Sequence, residues 1–152
     1  MQNSAYLESK VLTAPPQRLH LLLIEGAIRF GRQGEESLRR GDRVGAAPSL
    51  LRTIDIVGEL LAAVRANKSD LNKKIADQYW FMLRRVSEAK INADADALAE
   101  ALRLLEFERQ TWQMLCDKLA GDPASAPPVA QKSRSFDATG SRSPKSGISW
   151  QA

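Results

Sequence analysis

Residues 19–30 read LHLLLIEGAIRF, a run that is apolar around more of its circumference than one helix contact can cover. The run is entered through Pro15 and Pro16, and proline is accepted in a helix only in its first turn, where its missing N–H is an orphan donor anyway. A helix with one buried face carries a single apolar stripe roughly 100° wide. Here one stripe runs Leu19, Leu22/Leu23, Gly26, Phe30, and a second runs Leu21, Ile24, Ile28. Two stripes need two partners. The first is taken as the core side and the second as a surface that receives another chain, and a modest turn of the helix exchanges Leu21, Ile24 and Ile28 with Leu22 and Leu23.

The rest of the 152 residues fits an all-α class. Aromatic residues make up 6% of the chain while Ala, Leu, Arg and Glu are common, the bias of a helical protein. Residues 1–121 hold 18 Lys/Arg against 16 Asp/Glu, with signs alternating along the chain. Nucleic-acid binding would need basic residues gathered on one face, so no nucleic-acid partner is expected. The one cysteine, Cys116, excludes an internal disulfide framework and fits a reducing compartment. No basic-then-apolar leader opens the chain, and no apolar run approaches the roughly 20 residues that span a bilayer. A soluble, cytoplasmic location without membrane insertion is the expectation.

Four helical segments follow from periodicity and caps. The first spans about 16–40, with Gly41 as the residue past its end and Asp42 as the next cap. The second lies within 43–66, starting as late as 46 or 47 to keep Pro48 in its first turn, with a seam of Leu50, Ile54, Val57, Leu61 and Val64. After a break at 67–69 a third helix runs from Asp70 to about Ile91, burying Leu71, Ile75, Tyr79, Met82, Val86 and Ala89. Asp94 caps a fourth over about 95–119, with Leu98, Leu102, Leu105, Trp112, Leu115 and Leu119 on one side. Short connections make successive helices antiparallel neighbours. The fold is an antiparallel up-down-up-down four-helix bundle over 15–120, with an N-terminal arm at 1–14. Residues 121–152 are rich in Ser, Pro and basic groups, with Phe136, Ile148 and Trp150 isolated, and should be a disordered tail.

Catalytic chemistry finds no residue set, so no enzyme activity, cofactor or metal is expected. His20 is the only histidine, and Cys116 has no second thiol at metal-ligand spacing. Glycines are isolated, without a phosphate-cradling loop. Carboxylates such as Asp94/Asp96 and Glu106/Glu108 stand two apart on helices, which points them to different faces. His20 is followed by a leucine run rather than by the lysine and glycine that would hold a phosphoryl group, so a phosphotransfer role is rejected.

Surplus apolar surface is what remains. Leu51, Ile56 and Leu60 lie off the main seam of the second helix, with Trp80, Phe81 and Leu83 on the third and Leu104, Phe107 and Met114 on the fourth. Secondary apolar rows on all four helices favour grooves that accept an amphipathic helix. A weak homodimer, or docking by a non-enzymatic adaptor or regulator, would use the same surface.

The residues also carry a resemblance. Tyr6, Val11, then Thr13-Ala14, Pro16, Leu19 and Gly26-Ala27-Ile28 form an ordered N-terminal set. It continues through Tyr79-Trp80-Phe81-Met82-Leu83-Arg84-Arg85, Glu88-Ala89, Ile91 and Asp94 to Trp112. Across about residues 6–119 this resembles the flagellar secretion chaperone family FliS. The resemblance implies a cytoplasmic helical bundle that binds the disordered C-terminal segment of flagellin and prevents its premature polymerisation. It also implies delivery of flagellin to the FlhA-type cytoplasmic domain of the flagellar type III export gate.

Joined to the surplus rows, the resemblance makes Leu12, Leu21, Ile24, Ile28, Leu51, Ile56, Leu60, Tyr79, Trp80, Leu83, Leu104, Phe107 and Met114 the expected flagellin-binding residues. Tyr6, Leu7 and Val11, with Leu12, are expected to cap part of the groove or to touch an export partner. Three positions depart from the family pattern. Ile24 stands where tyrosine is usual, Trp80 where an acidic residue is common, and Pro15 where Ser or Thr would supply an N-cap oxygen.

Overall fold

The computed structural model describes residues 15–121, so what was expected of residues 1–14 and 122–152 lies outside the described residues. Four helices follow in order: α1 (Pro16–Arg39), α2 (Arg43–Arg65), α3 (Asp70–Asn92) and α4 (Ala95–Ala120). Each begins and ends where local chemistry dictates. Pro15 is extended and its carbonyl accepts from Leu19 N (2.9 Å), but it offers no side-chain cap. At the other end of α1, Gly41 takes φ +78°, with Gly41 N bonded to the Leu38 carbonyl and Asp42 N to the Ser37 carbonyl. That pair of bonds is the Schellman motif, and the left-handed backbone it needs is what glycine supplies without strain.

Asp42 then caps α2 by accepting from Gly45 N (2.8 Å), Ser69 caps α3 by accepting from Asn72 N (3.1 Å), and Asp94 Oδ1 caps α4 by accepting from Asp96 N and Ala97 N. The Asn72 side chain also donates to the Val64 and Asn67 carbonyls, tying the α2–α3 turn together. One expected start is corrected. Helix α2 begins at Arg43, which puts Pro48 at its sixth position rather than in its first turn. The carbonyl that a residue-48 amide would bond belongs to Val44, an 85% exposed residue, so water can take the place of the missing donor.

Of the described residues, those up to Met114 form one compact unit and those from Leu115 onward belong to a second. Within the first, cross-helix pairs establish the antiparallel order. Gly34 lies against Leu50 and Gly26 against Ile56, so α2 runs back along α1. Asn72 bonds to Val64 near the start of α3, and Arg43 donates to the Ile91 carbonyl near its end. Arg85 reaches Glu100 from α3 to α4 (2.6 Å), and Arg32 reaches Glu106 from α1 to α4 (2.9 Å). These pairs make the up-down-up-down bundle. In the second unit, the last turn of α4 closes with Gly121 N on the Asp117 carbonyl.

The core is built from Leu21, Ile24 and Ile28 of α1, Leu50, Val57, Leu60 and Leu61 of α2, Tyr79, Met82 and Val86 of α3, and Leu98, Leu102 and Leu105 of α4. Helix α1 is therefore rotated from the expected setting. Leu21 and Ile24 are fully buried and Ile28 nearly so, while Leu19, Leu22, Leu23 and Phe30 are half-buried. The cause is a pair of close approaches: a Cβ at Gly31 would lie 2.6 Å from Leu102 Cδ2, and one at Gly34 would lie 2.5 Å from Leu50 Cδ2. Glycine lets α2 and α4 pack on that side, and Leu21, Ile24 and Ile28 go in with it. Two smaller corrections concern α3, where Leu71 is exposed and Ile75 half-buried, and Ala76 takes the inward position.

Candidate partner-binding surface

Because Leu21, Ile24 and Ile28 fill the core, the other apolar row of α1 is left along its seam with α2. Leu19, Leu23, Gly26 and Phe30 recur every three or four residues, so they share one face over about 16 Å of helix. Gly26 keeps this face low: a Cβ there would stand 3.5 Å from Ile56 Cδ1 across the seam. At the Phe30 end the guanidinium carbons of Arg29 and Arg52 lie 5.3 and 5.1 Å from the ring centroid, one from each helix. One turn further, Ser49 Oγ donates to Gln33 Oε1 and crosses the seam. The result is a half-buried apolar seam between α1 and α2 with a cationic, then polar, end.

Adjacent residues of α3 serve different seams. Trp80 and Phe81 are separated by about 100° around the helix. Asn72, which bonds to α2, marks the α2 side, and Arg85, which pairs with α4, marks the other. By that measure Trp80 stands toward α2 and Phe81 toward α4. Trp80 is 48% exposed, as is much of Leu51 on α2. Gly58 adds room, since a Cβ there would meet nothing within 4 Å.

A third depression, of about 510 Å³, lies between α1 and α4. Leu102 and Ala99 form its apolar part beside the exposed ring of Phe107, and Arg32, Glu35, Arg103 and Glu106 form its rim. Glu106 accepts from both Arg109 and Arg32, which holds its carboxyl below the usual glutamate value. Both partners are exposed or partly so, and such pairs contribute little to stability, so this rim orients more than it stabilises.

Inside the bundle, four polar side chains from three helices form one chain of bonds. The Tyr79 hydroxyl donates to Glu108 Oε1 (3.1 Å), and Trp112 Nε1–H donates to the same oxygen (3.3 Å). With its proton committed, the Tyr79 oxygen accepts from His20 Nε2 (2.8 Å), which assigns the ring proton to Nε2. The imidazole also stacks on Trp112, centroids 4.0 Å apart. Burial lowers the His20 pKa to about 4. Burial, and then the Glu108 carboxylate, pushes the Tyr79 hydroxyl well above its ordinary value. A neutral imidazole and a neutral phenol are thus held beside one carboxylate. The arrangement joins α1, α3 and α4 rather than presenting a reactive group. His20, turned inward, is out of reach of any phosphoryl donor.

Of the residues expected at a partner surface, the structure places Leu51, Trp80, Phe107 and Met114 outside, each about half exposed or more, and Ile56, Leu83 and Leu104 half-buried at seams. Leu21, Ile24, Ile28, Leu60 and Tyr79 are inside, where a partner cannot touch them while the bundle is closed. Within the family motif, Pro16 opens α1, Leu19 is half-buried, and Gly26 and Ala27 are buried. Tyr6, Leu7, Val11, Leu12, Thr13 and Ala14 lie outside the described residues. Sequence reasoning missed the His20–Tyr79–Glu108 chain of bonds and the packing of Arg52 on Phe30, since both join positions far apart in the chain. Among the described residues no group of three or more His, Cys, Asp or Glu could hold a metal, and no helix is long and apolar enough to cross a membrane.

The chain is similar to known proteins over nearly all of the described region. A family model described as "Flagellar protein FliS" matches residues 1–119. The flagellar secretion chaperone FliS of Bacillus subtilis (strain 168) is 28% identical over 110 residues, covering 72% of this chain and 82% of that protein. The protein of the same name from Salmonella typhimurium is 28% identical over 114 residues, covering 74% and 84%. That of Escherichia coli (strain K12) is 25% identical over 121 residues, covering 77% and 89%.

Proposed function

Since the chain belongs to the family of the flagellar protein FliS, we propose that it is a secretion chaperone for flagellar export and that its cargo is the disordered C-terminal segment of flagellin. The observation that carries this reading is apolar surface that the core does not use. Leu51, Trp80, Phe81, Phe107 and Met114 stand exposed, and Leu19, Leu23 and Phe30 stay half-buried, on a bundle whose core is already filled by other side chains. A chain end that would otherwise zip into coiled coils with its neighbours gains roughly 25 cal/mol for each Å² of apolar area it hides there, before ordering costs. Hiding that face keeps flagellin from assembling too early. Handing it on needs no chemistry, only a competing surface, which in this role is the FlhA-type domain of the export gate. The N-terminal arm, residues 1–14, competes for part of the same surface in this reading, and the work is done in the bacterial cytosol.

The test is a titration of the purified protein with a peptide from the C-terminus of the flagellin of the same organism, followed by circular dichroism and calorimetry. Coupled folding gives more helix than the two components separately and a negative heat-capacity change. A flat titration at tens of micromolar would refute the proposal. Sedimentation of the protein alone distinguishes cargo binding from a weak homodimer that uses the same surface.

A further inference from the structure

The turn between α2 and α3 departs from the even charge balance of the bundle. Residues 65–74 hold four Lys/Arg against one Asp. Three of these cations, Arg65, Lys68 and Lys73, border a depression of about 470 Å³ together with one carboxylate, Asp77, and its apolar part is the buried Val64 and Ala76. Among the described residues none of the three forms an ion pair, although Asp77 stands one turn along α3 from Lys73. This is unlike Arg32, Arg39, Arg40, Arg85 and Arg109, each of which has a glutamate within reach. Cations near the end of a helix commonly serve its last carbonyls. Here Asn72 does so instead, its amide donating to the Val64 and Asn67 carbonyls (3.1 and 2.8 Å). The three charges are left to solvent beside a concave surface.

The arrangement selects among anions. A compact anion such as phosphate needs several backbone N–H groups converging on one point. The start of α3 is closed to it, because Ser69 Oγ already accepts from Asn72 N and Asp70 occupies the first turn. A lipid surface or a nucleic-acid backbone presents evenly spread negative charge, which Asp70 and Asp77 would repel. A polypeptide can set carboxylates opposite the cations and an uncharged residue opposite Asp77, while its apolar carbon lies toward Val64 and Ala76. Because the cations belong to the last turn of α2, to the connection and to α3, they meet such a segment at intervals along its length rather than at one point.

We infer that the depression at the α2–α3 turn binds a short acidic segment of a partner polypeptide, whose carboxylates pair with Arg65, Lys68 and Lys73. The site shares no residue with the apolar rows assigned to cargo, and it stands whether or not those rows carry flagellin.

The experiment uses the full chain, a fluorescently labelled peptide of alternating Glu and Ser, and the same peptide with Gln in place of Glu. Binding is followed by anisotropy at low salt for the native chain, for K68Q/K73Q, and for K90Q/R103Q. The last variant removes the same charge from elsewhere on the bundle, and circular dichroism checks the fold of both. The native chain should bind the Glu peptide and not the Gln peptide, and added salt should weaken the complex. Exposed charge pairs are individually weak, so K68Q/K73Q should lower the affinity by about three- to ten-fold and K90Q/R103Q by less than about two-fold. No binding of the Glu peptide by the native chain would overturn the inference. Equal losses in the two variants would also overturn it, since they would mean attraction by net charge without a site. Phosphatidylglycerol vesicles make the remaining arm: if K68Q/K73Q releases the chain from them but leaves Glu-peptide binding unchanged, the cations serve a lipid surface and the inference is wrong.

Discussion

Acid should unfold this bundle through His20 before it acts on any carboxylate. The imidazole has a folded pKa of about 4 against an ordinary value of 6.5. Between those two pH values the unfolded chain binds a proton there that the folded chain refuses, so stability rises with pH. The contribution is fully present above pH 6.5 and is lost as pH falls toward 4. A gap of between two and three pH units corresponds to roughly 3 kcal/mol as an upper bound, lost most steeply in mid-window. For a bundle of this size that is a fall in melting temperature of roughly 10–15 °C between pH 7 and pH 4.5.

The window is open to a direct test because His20 is the only histidine in the chain and no other side chain has an ordinary pKa between 5 and 8. Among the described residues the one carboxylate clearly shifted downward, Glu106, loses its contribution only below the ordinary glutamate value. His20→Gln keeps a donor for the Tyr79 oxygen but cannot titrate. Urea unfolding followed by circular dichroism, for both chains at several values from pH 7 to 4.5, gives the two slopes. The native chain should lose about 2–3 kcal/mol over that range and the variant much less. Parallel slopes would refute the reasoning, since they would mean that Glu108, acting through Tyr79, already holds the imidazole in its protonated form.

Two further outcomes follow from single atoms. Tyr79→Phe removes the acceptor of the His20 proton and one of two donors to Glu108, so urea unfolding at pH 7 should show a loss of about 1–3 kcal/mol; a change under 0.5 kcal/mol would show that the bonds add nothing. Ala93 ends α3 with φ +54°, a backbone that costs a non-glycine residue about 1–2 kcal/mol, so Ala93→Gly should stabilise by about 0.5–1 kcal/mol after the added freedom of the unfolded chain is subtracted, and an unchanged or lower midpoint would count against the strain.

What could be read in the sequence divides by distance. Helix ends were legible because capping is local: Pro16, Gly41 with Asp42, and Asp94 act on backbone groups within a few residues, and the structure keeps each in its expected place. Pro48 deceived because its effect depends on whether one carbonyl four residues earlier meets water, which the chain does not state. The buried His20–Tyr79–Glu108–Trp112 bonds were illegible for the opposite reason, since they join positions 20, 79, 108 and 112 and exist only once three helices have met.

The rotation of α1 lies between these cases, and its signal was present beyond the leucines. From Leu19 to Phe30 the two stripes are equally apolar, so that stretch alone cannot choose between them. Followed further, the row through Leu19, Leu23 and Phe30 runs into Gln33 and Ser37, whereas Ile24 repeats at Gly31 and Leu38, and Ala27 repeats at Gly34. Those positions are all buried. A seven-residue spacing that passes through glycine and returns to leucine is a packed seam with a close approach in it. The stripe first assigned to the core is therefore the one left half-buried where α1 meets α2, and it turns polar beyond Phe30.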